Sequence, residues 1–93
     1  MKTICLQTEL PNKYLSTHLL DADWEVSINN QGTSMQNKKT NENVFILDIY
    51  SGNALLVDLE IDPPEDWAPR CYYYLLDTKT WEPILPANDN QTN

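Results

Sequence analysis

Three carboxylates recur at alternate positions, Asp58-x-Glu60-x-Asp62, and Glu65 and Asp66 follow within four residues. On an extended chain, alternate side chains share one face about 6.6–6.8 Å apart. Such a row could bind a divalent cation, act as general acid and base, or meet a cationic surface. A calcium loop opening at Asp58 would need glycine at its sixth position and a bidentate glutamate at its twelfth. Those positions are Pro63 and Pro69, so the EF-hand pattern is excluded and no metal ligand set is assigned. Nuclease chemistry would need a nearby Lys or His and a path for an anionic substrate. None of the six acids between Asp48 and Asp66 has a basic neighbour in that stretch. A glycosidase would set two carboxylates across a sugar cleft, and such a cleft is hard to build in a chain of 93 residues.

Other catalytic arrangements are missing too. His18 is the only histidine, and no Gly-x-Ser-x-Gly elbow supplies a nucleophile for it. It reads as a half-exposed side chain. With two glycines, Gly32 and Gly52, the chain has no phosphate-cradling loop. Cys5 and Cys71 form neither a Cys-x-x-Cys pair nor a Cys/His cluster, and both read as buried, reduced thiols. The reading is therefore a non-enzyme without a cofactor.

Charge narrows the partner. The net charge is −8. Residues 1–41 carry four acids and four bases, whereas residues 42–93 carry ten acids against Arg70 and Lys79. Phosphate contacts need Lys and Arg, so direct binding to nucleic acid or an anionic membrane is not expected. A basic protein partner fits the asymmetry, although the same charge also serves solubility. The N-terminal apolar run is too short for a signal peptide or a membrane span, which makes the cytoplasm the expected location.

Several elements must position these carboxylates. Strands are expected at Lys2 to Thr8, at Asp23 to Asn29 (Trp24, Val26 and Ile28 inward), at Arg70 to Leu76, and at Trp81 to Leu85. The last contains Pro83 and reads as an edge. Asn12 to Leu20 carries Leu15, Leu19 and Leu20 at helical spacing, with Asn12 as N-cap, and predicts one short helix. Residues 30–43 contain one large apolar residue, Met35, and read as a long polar loop. Val44 to Ile61 reads as a hairpin closed by a Ser51-Gly52-Asn53 loop. Its register pairs Phe45 with Leu59, Leu47 with Val57 and Ile49 with Leu55, keeping one face wholly apolar. Pro63-Pro64 then leads the chain out of the sheet.

The expected architecture is a single α+β domain over residues 1–86, a mostly antiparallel sheet of five to six strands with one helix, and a disordered tail at 87–93. An all-β fold is the alternative should 12–20 not be helical. Phe45, Leu47, Ile49, Leu55, Val57, Leu59 and Ile61 are assigned to folding. Asp48, Tyr50, Leu56, Asp58, Glu60, Asp62, Glu65, Asp66 and Trp67 are assigned to a partner. No family motif is recognisable. By analogy of composition, the chain fits the class of small phage-type inhibitors, anti-CRISPR proteins among them, that partly mimic nucleic acid to occupy a basic groove. A structural or assembly subunit binding through Tyr72, Tyr74 and Trp81 is the alternative.

Overall fold

The computed structural model describes residues 1–84. The chain forms eight strands: β1 (Lys2–Gln7), β2 (Lys13–Leu20), β3 (Trp24–Asn29), β4 (Gly32–Asn37), β5 (Asn43–Ile46), β6 (Ala54–Asp58), β7 (Tyr72–Leu75) and β8 (Thr80–Pro83). They build two antiparallel sheets, a five-stranded one in the order β6-β1-β2-β7-β8 and a three-stranded one in the order β3-β4-β5. Among the described residues there is no helix. The fold is all-β, which overturns the α+β expectation.

The error lies in residues 12–20, and a bulge explains it. Ile4 pairs with His18 and Cys5 with Ser16, leaving Thr17 as an extra residue in β2. An inserted residue reverses the alternation beyond it. Leu15 and Leu20 thus reach the same face despite odd spacing, which imitates a helical stripe. Thr17 is held in place by its hydroxyl, which donates to the Ile4 carbonyl at 3.1 Å.

The expected hairpin does not form either. β5 pairs with β4 and β6 pairs with β1, so the two halves belong to different sheets. The 51–53 turn is real, but the segment around it carries the chain from one sheet to the other. Ser51 N–H donates to the Asn29 carbonyl at 2.9 Å, and Gln7 N–H donates to the Asn53 carbonyl at 2.8 Å. Pairing with β4 directs Val44 and Ile46 inward, leaving Phe45 56% and Leu47 71% exposed. Ile61 is exposed as well, so three residues assigned to folding lie outside. Residues 30–43 are not one loop, because their middle is β4. Its inward positions are Thr33 and Met35, and the buried Thr33 hydroxyl donates to the Ile49 carbonyl at 2.7 Å.

The main core lies between the sheets, with Ile4, Leu20, Met35 and Ile49 at its centre. Leu6, Ala54 and Leu56 add to it from the larger sheet, and Trp24, Val26 and Ile28 from the smaller. The expected β1, β3, β7 and β8 stand with small shifts at their ends, and β8 is an edge. The expected tail at 87–93 lies outside the described residues.

This arrangement distinguishes two leucine-sized truncations. Ile4→Ala should cost about 2–5 kcal/mol, whereas Leu47→Ala should stay within about 0.5 kcal/mol. Urea unfolding of both variants checks it; a large loss at Leu47 would restore the hairpin core.

Candidate functional site

β6 and β7 are separated in the sheet by β1 and β2. Residues 59–71 must therefore cross three strand spacings, about 14 Å. They do so as a strap over the sheet face that points away from the main core. Thr3 and Cys5 of β1, Ser16 of β2, and Leu55 and Val57 of β6 share that face. Thr3, Cys5 and Ser16 are fully buried beneath it.

The strap is fastened at both ends and at its centre. Leu59 N–H donates to the Met1 carbonyl at 3.0 Å, and Arg70 N–H donates to the Ser16 carbonyl at 2.9 Å. Trp67 N–H donates to the Pro64 carbonyl at 3.0 Å, closing a turn after the two prolines. From that turn Trp67 Nε1–H donates to Ser16 Oγ at 3.0 Å. Ser16 Oγ lies 2.7 Å from Thr3 Oγ1, which lies 2.8 Å from the His18 carbonyl. The carbonyl can only accept, so Thr3 donates to it, Ser16 donates to Thr3, and Trp67 donates to Ser16. The Ser16 and Thr3 hydroxyls each have one donor and one acceptor role filled.

The carboxylates of 58–66 do not form a strand face. β6 ends at Asp58, and Glu60 and Asp62 lie beyond it. Asp58 pairs with Lys2 at 3.5 Å and Glu60 with Lys79 at 2.7 Å. The Glu60 carboxylate pushes the Lys79 pKa upward. Asp66 accepts from the Tyr72 hydroxyl at 2.6 Å, which raises the Tyr72 pKa. Among the described residues, Asp62, Glu65 and Asp66 have no cationic partner within salt-bridge distance. The structure thus gathers Asp58, Glu60, Asp62, Glu65 and Asp66 on one segment and leaves its middle uncompensated.

The other assigned residues are placed elsewhere. Leu56 packs into the main core. Asp48 and the 40%-exposed Tyr50 lie on the link between the sheets, where Asn53 Nδ2 donates to the Asp48 carbonyl at 2.9 Å. Trp67 is half-buried and serves as the strap's anchor. Its role was not legible because its partner, Ser16, is 51 residues away. The aromatic face proposed for β7 and β8 is largely self-packed: Tyr74 is 1% exposed and meets Trp81 edge-on at 5.2 Å.

The lone histidine lies apart from the strap's carboxylates in its hydrogen bonding. His18 Nδ1 lies 2.9 Å from Thr17 Oγ1, whose own hydrogen goes to Ile4, so the ring donates. Burial, reinforced by Arg70, lowers the His18 pKa from its usual 6.5. Among the described residues no group of three His, Cys, Asp or Glu side chains converges as a metal site. Nor is any helix long and apolar enough to cross a membrane.

No protein family, characterised protein or solved structure matches the chain. Its function therefore has to be argued from the strap and the surfaces around it.

The two thiols differ, against the expectation that both are buried. Burial pushes Cys5 up to about 12, while Cys71 is exposed. Native protein should take up one equivalent of a thiol reagent, at Cys71, and a second only after denaturation. Mass mapping of the labelled peptides reads this directly, and rapid native labelling of Cys5 would contradict a closed strap. The anchor is tested by Ser16→Ala, which orphans Trp67 Nε1–H and should cost about 1–3 kcal/mol. Trp67 fluorescence should then shift toward that of exposed indole; an unchanged spectrum and midpoint would remove Ser16 from this role.

Proposed function

We propose that the chain is a non-catalytic, acidic protein-binding inhibitor or modulator that occupies a basic, nucleic-acid-binding surface of a partner in the cytoplasm. The observation that carries the reading is the strap. It holds Glu60, Asp62, Glu65 and Asp66, directly after Asp58 at the end of β6, on a backbone tied down at Leu59, Trp67 and Arg70. A charged surface held this way steers a basic partner by long-range attraction without ordering flexible side-chain-bearing loops on binding. Among the described residues Lys2 and Lys79 pair only with Asp58 and Glu60, which leaves Asp62 and Glu65 without a cation and Asp66 with the Tyr72 hydroxyl alone. The two free thiols suit a reducing compartment.

Phosphates on one nucleic-acid strand repeat every ~3.4 Å of axis. The strap is sparser, so mimicry would be partial and would cover a few phosphate positions. Phage-type inhibitors, including anti-CRISPR proteins, are the functional class in which such a protein fits. The assembly-subunit alternative draws less support, because Tyr74, the middle of its aromatic surface, is buried.

Affinity capture from the native host, followed by mass spectrometry, identifies the partner. Capture should weaken steeply between low and moderate salt, as expected of charge steering. It should be competed by duplex nucleic acid. Charge reversal at Asp62, Glu65 and Asp66 to Lys should abolish it without unfolding the protein. Capture that survives both reversal and salt would sink the proposal.

A further inference from the structure

A sheet edge presents unpaired N–H and C=O groups that template pairing with another strand unless it is charged, broken by proline or covered. Two sheets have four edges, and three of these are guarded. β3 and β6 approach each other where the two sheets meet. β8 carries Glu82 and ends at Pro83. β5 has none of these devices. Asn43–Ile46 and the Leu47 that follows contain no charge and no proline, and no strand among the described residues pairs with the outer edge.

The direction of the free backbone groups follows from the β4–β5 turn. Asn37 N–H donates to the Glu42 carbonyl at 2.8 Å. Bonded pairs recur at every second residue of an antiparallel ladder, so Met35 with Val44 and Thr33 with Ile46 are the bonded pairs of β4 and β5. The N–H and C=O groups of Asn43 and Phe45 therefore point off the free edge. The Phe45 ring does not block them. It folds back over β4, where Gly32 lacks the Cβ that would sit 2.5 Å from Phe45 Cζ.

We infer that β5 pairs antiparallel with β5 of a second copy of this chain, across a two-fold axis at Phe45, joining the two small sheets into one of six strands. In that register the two Phe45 residues exchange two hydrogen bonds, and Asn43 lies opposite the second copy's Leu47. Val44 meets the second copy's Ile46 on the inner face, and Phe45 meets Phe45 on the outer. A slip by one residue would set inward positions against outward ones, so the alternation fixes the parity of the register. Charge selects the occupant. Residues 24–46, the whole smaller sheet, carry Glu25 and Glu42 against Lys38 and Lys39 and are neutral, although the chain carries −8. A copy of like charge is repelled by the strap and can approach only where the local field is balanced, whereas a basic partner gains nothing at this edge. So short a ladder falls below the ~1,000 Å² that a stable interface buries, and pairing should appear only at high protein concentration.

The test is sedimentation equilibrium and amide exchange on the ¹⁵N-labelled full chain, over a concentration series reaching millimolar. A dimer should form, with exchange slowing at the Asn43 and Phe45 amides. Raising salt should tighten it by screening the charge on each copy. Salt acts oppositely on capture through the strap, so the two readings fail separately. Leu47→Glu, at a position 71% exposed, sets a carboxylate beside the second copy's Glu42. It should weaken the dimer about tenfold, the change counting twice across the axis. Leu10→Glu makes the same charge change on the exposed β1–β2 turn and should leave the dimer intact. A monomer at millimolar concentration, a dimer weakened equally by Leu10→Glu, or slowed exchange on another strand would each overturn the inference. So would Asn43 and Phe45 amides that slow only when the captured partner is added, which would assign the edge to a foreign strand.

Discussion

The larger sheet is buried on both faces, and the Ser16 hydroxyl is the point on which its second covering depends. A strap that carries charge outward cannot bring a thick apolar face inward over Thr3, Cys5 and Ser16, which are small and partly polar. It closes on them through one indole. Trp67 supplies apolar area over the thiol and hydroxyls, and its N–H begins the relay that ends on the His18 carbonyl. A buried hydroxyl without partners costs about 1–3 kcal/mol, so the three donors and acceptors stand or fall together. The Thr17 bulge belongs to the same arrangement, since it sets Ser16 opposite Cys5 and brings the His18 carbonyl within reach of Thr3.

Two-sided burial also explains which strands could be read from sequence. β1, β3, β7 and β8 alternate or follow clear turn signals. β6 reads Ala-Leu-Leu-Val, apolar on both faces, because Ala54 and Leu56 meet the main core while Leu55 and Val57 lie under the strap. A continuous apolar run marks a strand covered on both sides, and that signal argued against a hairpin with one polar face. The most apolar local register between β5 and β6 is not the one adopted, because β5 pairs with β4 and β6 with β1. β2 was hidden by its bulge. β4 was hidden because its inward residues, Thr33 and Met35, bury a hydroxyl and a thioether instead of branched aliphatics.

The candidate site was legible as composition and not as geometry. The carboxylates of 58–66 are plain in the sequence, but the chain leaves the sheet already after Asp58, five residues before the Pro63-Pro64 pair at which the exit is expected. What could not be read is which of them pair with a lysine. Lys2 and Lys79 come from opposite ends of the larger sheet to Asp58 and Glu60, and neither pairing follows from spacing. Phe45 is assigned to the core by a hairpin register that pairs it with Leu59, whereas its place on the outward face follows from pairing with Ser34.

Exposed ion pairs such as these contribute little to stability, and that weakness separates the strap's charge from its fixation. The strap is held by backbone hydrogen bonds at Leu59 and Arg70 and by the half-buried Trp67 indole, none of which involves a carboxylate. Like charges at Asp62, Glu65 and Asp66 repel one another and oppose the compact turn. The fold tolerates that repulsion because the anchor lies immediately after them and points the other way. Carboxylates that did no more than solubilise the chain could be spread over any exposed position, at less electrostatic cost. Their concentration on a tethered irregular segment is the feature on which the proposed reading, a surface that meets cations, rests.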